Sequence, residues 1–147
     1  MPDDLHDIPV LLLSAARALV DGIDSRVREA GFTDIRPAHG FAFARISGAG
    51  ATVTELAEHL EITKQAASQM AEELIRKGYL KRGPHPADAR ARLLTLTERG
   101  NACTEAATAA ANATLRPLAT ALTPGQIAAL RTALLHLAEP GRIRPVW

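Results

Sequence analysis

The sequence predicts a mainly α-helical protein with one small β-wing: a helix-turn-helix core of residues 36–97, flanked by helices over 5–31 and 98–138. Three observations carry that expectation. Two short helix patterns lie end to end, Val53–Leu60 and the segment after Thr63, with Thr52 and Glu55 at capping-box spacing ahead of the first. The second of them is studded with amides and cations on one side. A basic ribbon interrupted by Gly83, Pro84 and Pro86 follows directly, and this order suits a helix-turn-helix with a wing whose target is duplex DNA.

Along the chain, Leu12, Ala16, Leu19, Ile23 and Val27 form one stripe at helical spacing, predicting a helix from about Val10 to Ala30 with Gly31 as its stop. Pro37 opens a second helix to about Ser47, because its missing N–H costs nothing in a first turn. The helix after Thr63 is expected to end at Lys77, where Gly78 supplies a left-handed residue. Leu80–Arg82 and Arg92–Leu96 read as short strands. Helix resumes after Thr97 through an alanine-rich run that Pro117 should kink or end. Thr123 and Gln126 repeat the capping-box spacing and open a last helix to about Leu137, and Pro140 onward reads as a tail. Alanine favours helix but buries little area. Paired with the stripe of the first helix and with the last helix, the alanine-rich helix can pack closely, within a protomer or across a dimer; the alternative is a surface helix of a monomer.

At 147 residues and 47% hydrophobic, the chain can bury one core as a single domain. Its net charge of +1 is unevenly spread. Residues 1–60 carry five Lys/Arg against nine Asp/Glu, whereas residues 61–100 carry eight against five. The basic excess begins where the second short helix begins, as expected of a protein that offers one face to a polyanion. Cys103 is the lone cysteine, which excludes an internal disulfide and fits a reducing compartment. The apolar run Ile8–Leu13 is short, broken by Pro9 and preceded by acids, unlike a secretory signal or a membrane span. A cytoplasmic protein without membrane partners is expected.

On a helical wheel, Ala66, Ala67, Met70 and Leu74 fall on the core side of the second short helix. Lys64, Gln65, Ser68, Gln69, Glu72 and Arg76 fall opposite. A helix in the major groove reads bases from its first turns, which selects Thr63, Lys64, Gln65, Ser68 and Gln69 as base-reading candidates. Gln suits adenine, Lys suits guanine or a phosphate, and Ser or Thr suits either. Glu72 is expected to pair with Arg76 rather than touch DNA. In the wing, Arg90 is placed to enter a minor groove, Asp88 to orient Arg90 or Arg92, and Lys81, Arg82 and Arg92 to anchor phosphates.

The five histidines are scattered without metal-ligand spacing. Glu55, Glu58 and His59 lie close together, but a solvated helix face explains them better than a metal site. Arg36, His39 and Phe43 are candidates to line an effector pocket, with a core role the common fate of such a histidine. No phosphate loop or nucleophile–base pair can be assembled, so neither catalysis nor a cofactor is expected.

The pattern T-x-x-x-L-A from Thr52, T-K-Q-A-A-S-Q-M-x-x-E-L from Thr63, G-Y-L-x-R from Gly78 and D-A-R-A-R-L-L-x-L-T-x-x-G from Asp88 resembles the MarR family of transcriptional regulators. The likeness is strong over residues 36–100 and extends to the flanking helices by length and order. It implies a homodimer, with 5–31 and 98–138 as dimerisation helices and two winged lobes reading a pseudo-palindrome at a spacing of roughly 34–36 Å. It also implies a repressor that releases its operator when a small, often phenolic or lipophilic effector binds between lobe and dimerisation region. Oxidant-sensing members use a cysteine near the N-terminus. Cys103 lies far from there and reads as a buried structural thiol. Outside that family reading, the remaining possibilities are a winged-helix protein-interaction module and a metal-responsive regulator.

Overall fold

A computed structural model describes residues 5–143. In chain order it contains α1 (Ile8–Glu29), α2 (Pro37–Ile46), α3 (Val53–Leu60), α4 (Lys64–Arg76), β1 (Leu80–Pro84), β2 (Arg92–Leu96), α5 (Glu98–Ala121) and α6 (Pro124–Leu137). The mainly helical architecture with a two-stranded wing matches the sequence expectation. None of these helices is long and apolar enough to cross a membrane.

Side-chain caps fix most of the boundaries. The hydroxyls of Thr52, Thr63, Thr97 and Thr123 accept from the backbone N–H three residues on, and Glu55 and Gln126 complete capping boxes at α3 and α6. Between α3 and α4 the chain turns through Glu61, which takes a left-handed conformation at φ 51° without being glycine. Ile62 N then donates to Ala57 O, closing the turn on the end of α3.

α3 and α4 pack on α2 and on the antiparallel ribbon, whose register pairs Leu80 with Leu96 and Pro84 with Arg92. Their shared core holds Phe43, Ile46, Leu56, Leu60, Leu74, Tyr79, Leu80 and Leu94, all buried. Ala51 bonds Leu94 in both directions and ties the α2–α3 connection to β2 as a short third rung. α1 lies along α5, with the stripe from Leu12 to Val27 facing inward. They approach closely at Gly22, where an added Cβ would sit 2.9 Å from Thr114 Cγ2. Small residues on α5 are what permit that distance.

Two expectations are corrected. Of the two outcomes expected at Pro117, a kink or an end, the end does not occur, since α5 continues to Ala121. Pro117 leaves Ala113 O without its helical donor, and α5 nevertheless runs on over the exposed residues 115–121. Pro140 onward is not a free tail over the described residues. Gly141 O accepts from His59 Nδ1 at 2.6 Å, Ile143 N donates to His59 O at 2.8 Å, and Ile143 packs on the core from outside α3.

The α5 start is fixed by its surroundings. The Thr97 hydroxyl donates to Gly78 O at 2.6 Å while accepting from Gly100 N. A Cβ at Gly100 would lie 2.3 Å from Tyr79 O and 3.1 Å from Leu96 Cδ2. Gly100→Ala is therefore expected to lower stability by roughly 3 kcal/mol or more in a denaturant titration. Gly125→Ala, which meets nothing within 4 Å on α6, should be neutral or stabilising by up to about 1 kcal/mol. Equal effects of the two would contradict the close approach.

His39 is completely buried on α2. Its Nδ1 accepts from Arg36 N at 3.0 Å, which puts the proton on Nε2, an atom that lies 3.2 Å from Arg36 Nη2 and 3.8 Å from Glu73 Oε2. Burial, with the nearby Arg36 charge, pushes its pKa down to about 4. Below pH 6.5 the unfolded chain takes up a proton that the folded chain refuses. Stability is then complete above pH 6.5 and falls by up to about 3 kcal/mol on acidification to pH 4. His39→Asn, which keeps an acceptor near Nδ1, is expected to flatten the profile between pH 6.5 and 4.5 in thermal unfolding.

Candidate nucleic-acid interface

α4 shows the polarity its sequence demands. Ala67, Ala71 and Leu74 are buried against the core, whereas Lys64, Gln65, Gln69, Glu72 and Arg76 are exposed and Ser68 is half-buried. Among the described residues, the side chains of Lys64, Gln65, Ser68 and Gln69 have no hydrogen-bond or ion-pair partner in the protein. Thr63 is different: its Oγ1 accepts from Ala66 N at 3.1 Å as the helix cap. The first two turns of α4 thus present three uncommitted polar side chains and one cation, the chemistry that reads base edges.

The wing stands beside this face. Between α4 and the ribbon runs an open groove of about 760 Å³, lined on the helix side by Lys64, Gln65, Ser68 and Glu72. The wing side is formed by Arg82, Asp88, Arg90, Ala91 and Arg92, and the N-terminal turn of α3 closes the end with Thr52, Val53 and Thr54. The fold therefore brings Lys64, Gln65, Ser68, Arg82, Asp88, Arg90 and Arg92 to one surface. Thr63, Gln69 and Lys81 lie outside its lining. For Lys81 the cause is strand parity, because Leu80 and Arg82 share one face of β1 and Lys81 takes the other.

Two roles differ from the sequence expectation. Asp88 does not hold an arginine side chain. Its Oδ1 accepts from Arg90 N at 2.9 Å and its carbonyl accepts from Ala91 N, so it shapes the wing tip through the backbone. Glu72 does not pair with Arg76. Arg82 NH2 donates to Glu72 Oε1 at 2.6 Å, because β1 returns antiparallel beside α4 and delivers residue 82 to the helix face first. A wheel drawn for α4 alone cannot show a partner ten residues on.

Of the candidate effector residues, Arg36 and Phe43 line a second, mostly apolar cavity of about 320 Å³ enclosed by α1, α2 and α5. His39 does not. It lies wholly within the core on the far side of α2, as a partner of the Arg36 backbone. The lining also includes Val20, Ile23, Phe41 and Cys103. Burial pushes the Cys103 thiol up to about 11, far from the thiolate form that oxidants attack. Sequence spacing could not have placed Cys103 here, since it comes from α5 while the other candidates come from α2.

Glu55 and His59 are engaged elsewhere. Glu55 caps Thr52 N at 2.8 Å and lies 3.7 Å from Arg45, and His59 binds Gly141. Among the described residues no group of three His, Cys, Asp or Glu is placed to hold a metal ion.

Residues 31–91 match the model of the MarR family. No curated protein matches the chain. Among solved structures, YusO from Bacillus subtilis is similar at 26% identity and a TM-score of 0.66, covering 95% of this chain and 99% of its own. CouR from Rhodococcus jostii RHA1, solved with p-coumaroyl-CoA, is similar at 19% identity and a TM-score of 0.76, with 95% and 96% covered. A mutant MarR from E. coli, solved with operator DNA, is similar at 23% identity and a TM-score of 0.73, with 93% and 97% covered. The chain thus resembles the MarR family over the helix-turn-helix and the first strand of the wing, and along most of its length it has the fold of these solved MarR-type structures.

Proposed function

We propose that this protein is a sequence-specific DNA-binding transcriptional repressor that works as a homodimer and leaves its operator when a small molecule binds. The groove between α4 and the wing is the observation that carries the reading. It joins the uncommitted Gln65 amide and Ser68 hydroxyl to the cations Lys64, Arg90 and Arg92, between one helix and one ribbon. The similar fold of a MarR protein complexed with operator DNA supports the same use.

In this reading Thr63, Lys64, Gln65, Ser68 and Gln69 enter the major groove, with Gln65 the main base reader. Arg90 reaches a flanking minor groove from the wing tip that Asp88 shapes. Lys81 and Arg92 meet phosphates, with Arg82 beside them on the wing. A monomer would read too few base pairs to be selective, and a two-fold dimer doubles the site. The apolar surface for such a dimer is present. α6 has no buried residue in the protomer, and Leu130, Leu134, Leu135 and Leu137 on it, with Val10, Leu11 and Leu13 on α1, stand exposed. Exposed apolar clusters of this extent mark association surfaces.

The α1–α2–α5 cavity supports the effector step. Its size and lining suit a small, largely apolar molecule whose single polar or anionic group would face Arg36. CouR, with p-coumaroyl-CoA, shows that a protein of this fold takes an aromatic acyl ligand. Such a molecule releases DNA only by its differential affinity for the free and DNA-bound forms. Equal affinity for both would refute that mechanism.

Gln65→Ala is expected to cost about 1–3 kcal/mol on the operator and little on a shuffled duplex. Arg90→Ala should weaken binding more on operators with A·T-rich flanks. Binding of the purified protein to its own upstream intergenic DNA beside a shuffled duplex, read by fluorescence anisotropy, tests both. Equal losses on both duplexes would rule out base readout by Gln65. Sedimentation equilibrium should return twice the protomer mass, and a Leu134→Glu variant should return one.

A further inference from the structure

The groove contains one ion pair whose position is unlike that of its other charges. Four cations line it: Lys64, Arg82, Arg90 and Arg92. Among the described residues only Arg82 has a side-chain partner, the Glu72 carboxylate at 2.6 Å. Glu72 lies one turn beyond Ser68 on the same outward stripe of α4, and Arg82 rises from the base of the wing on the opposite wall. The pair therefore bridges the floor of the surface that would meet DNA.

We propose that Glu72 is a specificity-determining residue that holds Arg82 away from the phosphate backbone. The inference rests on the DNA-binding reading above. A carboxylate in a DNA-facing groove repels phosphate, so its presence needs a compensating effect. Non-specific binding is nearly all phosphate attraction and carries no sequence information. An arginine free at the groove floor would find a phosphate on any duplex, because a loosely docked protein leaves its flexible side chain time and room to search. Pinned by Glu72, Arg82 adds no such contact, and the floor contributes no net charge. On the correct operator the docked geometry is already set by α4 and the wing, so the operator complex loses less by the pinning than a random one. Subtracting one backbone contact thus widens the ratio between operator and random DNA. The pair is surface-exposed and worth little to folding, so stability gives no alternative reason for it.

The test uses Glu72→Gln, Arg82→Ala and the double variant, each binding a shuffled duplex and the upstream intergenic duplex across a salt series. Glu72→Gln is expected to raise shuffled-duplex affinity about 3–10-fold and steepen its salt slope by about 0.9, the release of one phosphate's counterion. Operator affinity should rise less, so discrimination falls. Arg82→Ala alone bares the Glu72 carboxylate and should weaken binding to both duplexes, whereas the double variant should bind shuffled DNA within about twofold of the unmodified protein, without the gain of Glu72→Gln. Loss of a full unit of slope in the double variant, where both charges are gone, overturns the proposal, because Arg82 then already holds a phosphate. An unchanged slope in Glu72→Gln overturns it too. If Glu72→Gln fails to fold, judged by circular dichroism, Glu72→Ala takes its place with the same expected outcome. Failure of the unmodified protein to bind either duplex is read separately and sinks the DNA-binding reading together with this one.

Discussion

The packing of Tyr79 is the constraint on which the rest of the structure depends. Its ring is fully buried, 5.5 Å from Phe43 and 6.3 Å from Phe32 between centroids, and the Arg99 guanidinium lies 4.4 Å above it. Its hydroxyl donates to Asp34 Oδ1 at 2.5 Å, and its backbone N–H and carbonyl join α4 to α5. A buried phenol without a partner would be costly. Here burial and the Asp34 bond push its pKa up to about 12, while the hydrogen bond from Tyr79 holds the Asp34 carboxyl below its usual range. One side chain thus links the α1–α2 connection, the end of α4, the root of the wing and the start of α5. Gly100 is part of the same joint, since only a residue without Cβ can pass beneath the Tyr79 carbonyl. The direction in which α5 leaves the wing, and so the relation of the paired α1 and α5 to the groove, follows from that joint.

The groove is built on the rigid side of this joint. α4 is held at its far end by Lys77, whose Nζ bonds Asp34 O and Glu73 Oε1, and at its near end by the Thr63 cap. The hydrogen bond from Lys77 is the main reason the Glu73 carboxyl stays ionised below its usual range. Between those anchors the outward side chains of the first two turns are free of internal partners. A helix fixed at both ends with an uncommitted face can offer its polar groups without first breaking bonds. The wing tip is similarly set by its backbone, through Asp88, while the Arg90 side chain keeps its reach.

Local chemistry made most of this legible in the sequence. Caps at Thr52, Thr63, Thr97 and Thr123 fall where expected because each helix start depends on a contact three residues long. The core and outward faces of α4 follow from a single periodicity. What the sequence could not show depends on residues brought together by the fold. The Glu72–Arg82 pair, the exclusion of His39 from the cavity, the presence of Cys103 in it and the return of Ile143 to His59 all join separate elements. Strand parity likewise turns Lys81 from the groove lining, a placement its charge alone does not reveal. Pro117 is a local signal of another kind: it removes a backbone donor without saying whether a helix bends or stops there, and α5 runs on to Ala121.

The same distinction between local and assembled contacts bears on how the cavity communicates with α4. The direct polar link is Arg36, which lines the cavity and lies 3.5 Å from Glu73 on α4. That guanidinium is 64% exposed, and pairs of this kind are worth at most about 1 kcal/mol. Breaking it could shift an equilibrium between two arrangements of α4 by only a few-fold. The stronger link is mechanical. Phe43 forms a wall of the cavity on one side and packs against Tyr79 on the other, and the buried His39 on α2 lies 3.8 Å from Glu73 on α4. A molecule in the cavity that displaced Phe43 would have to move the Tyr79 joint with it, because a packed core yields in discrete rearrangements rather than by compression. In the proposed effector mechanism, coupling between cavity and groove would therefore run through the packing of α2 on Tyr79, with the Arg36 ion pair a minor contributor.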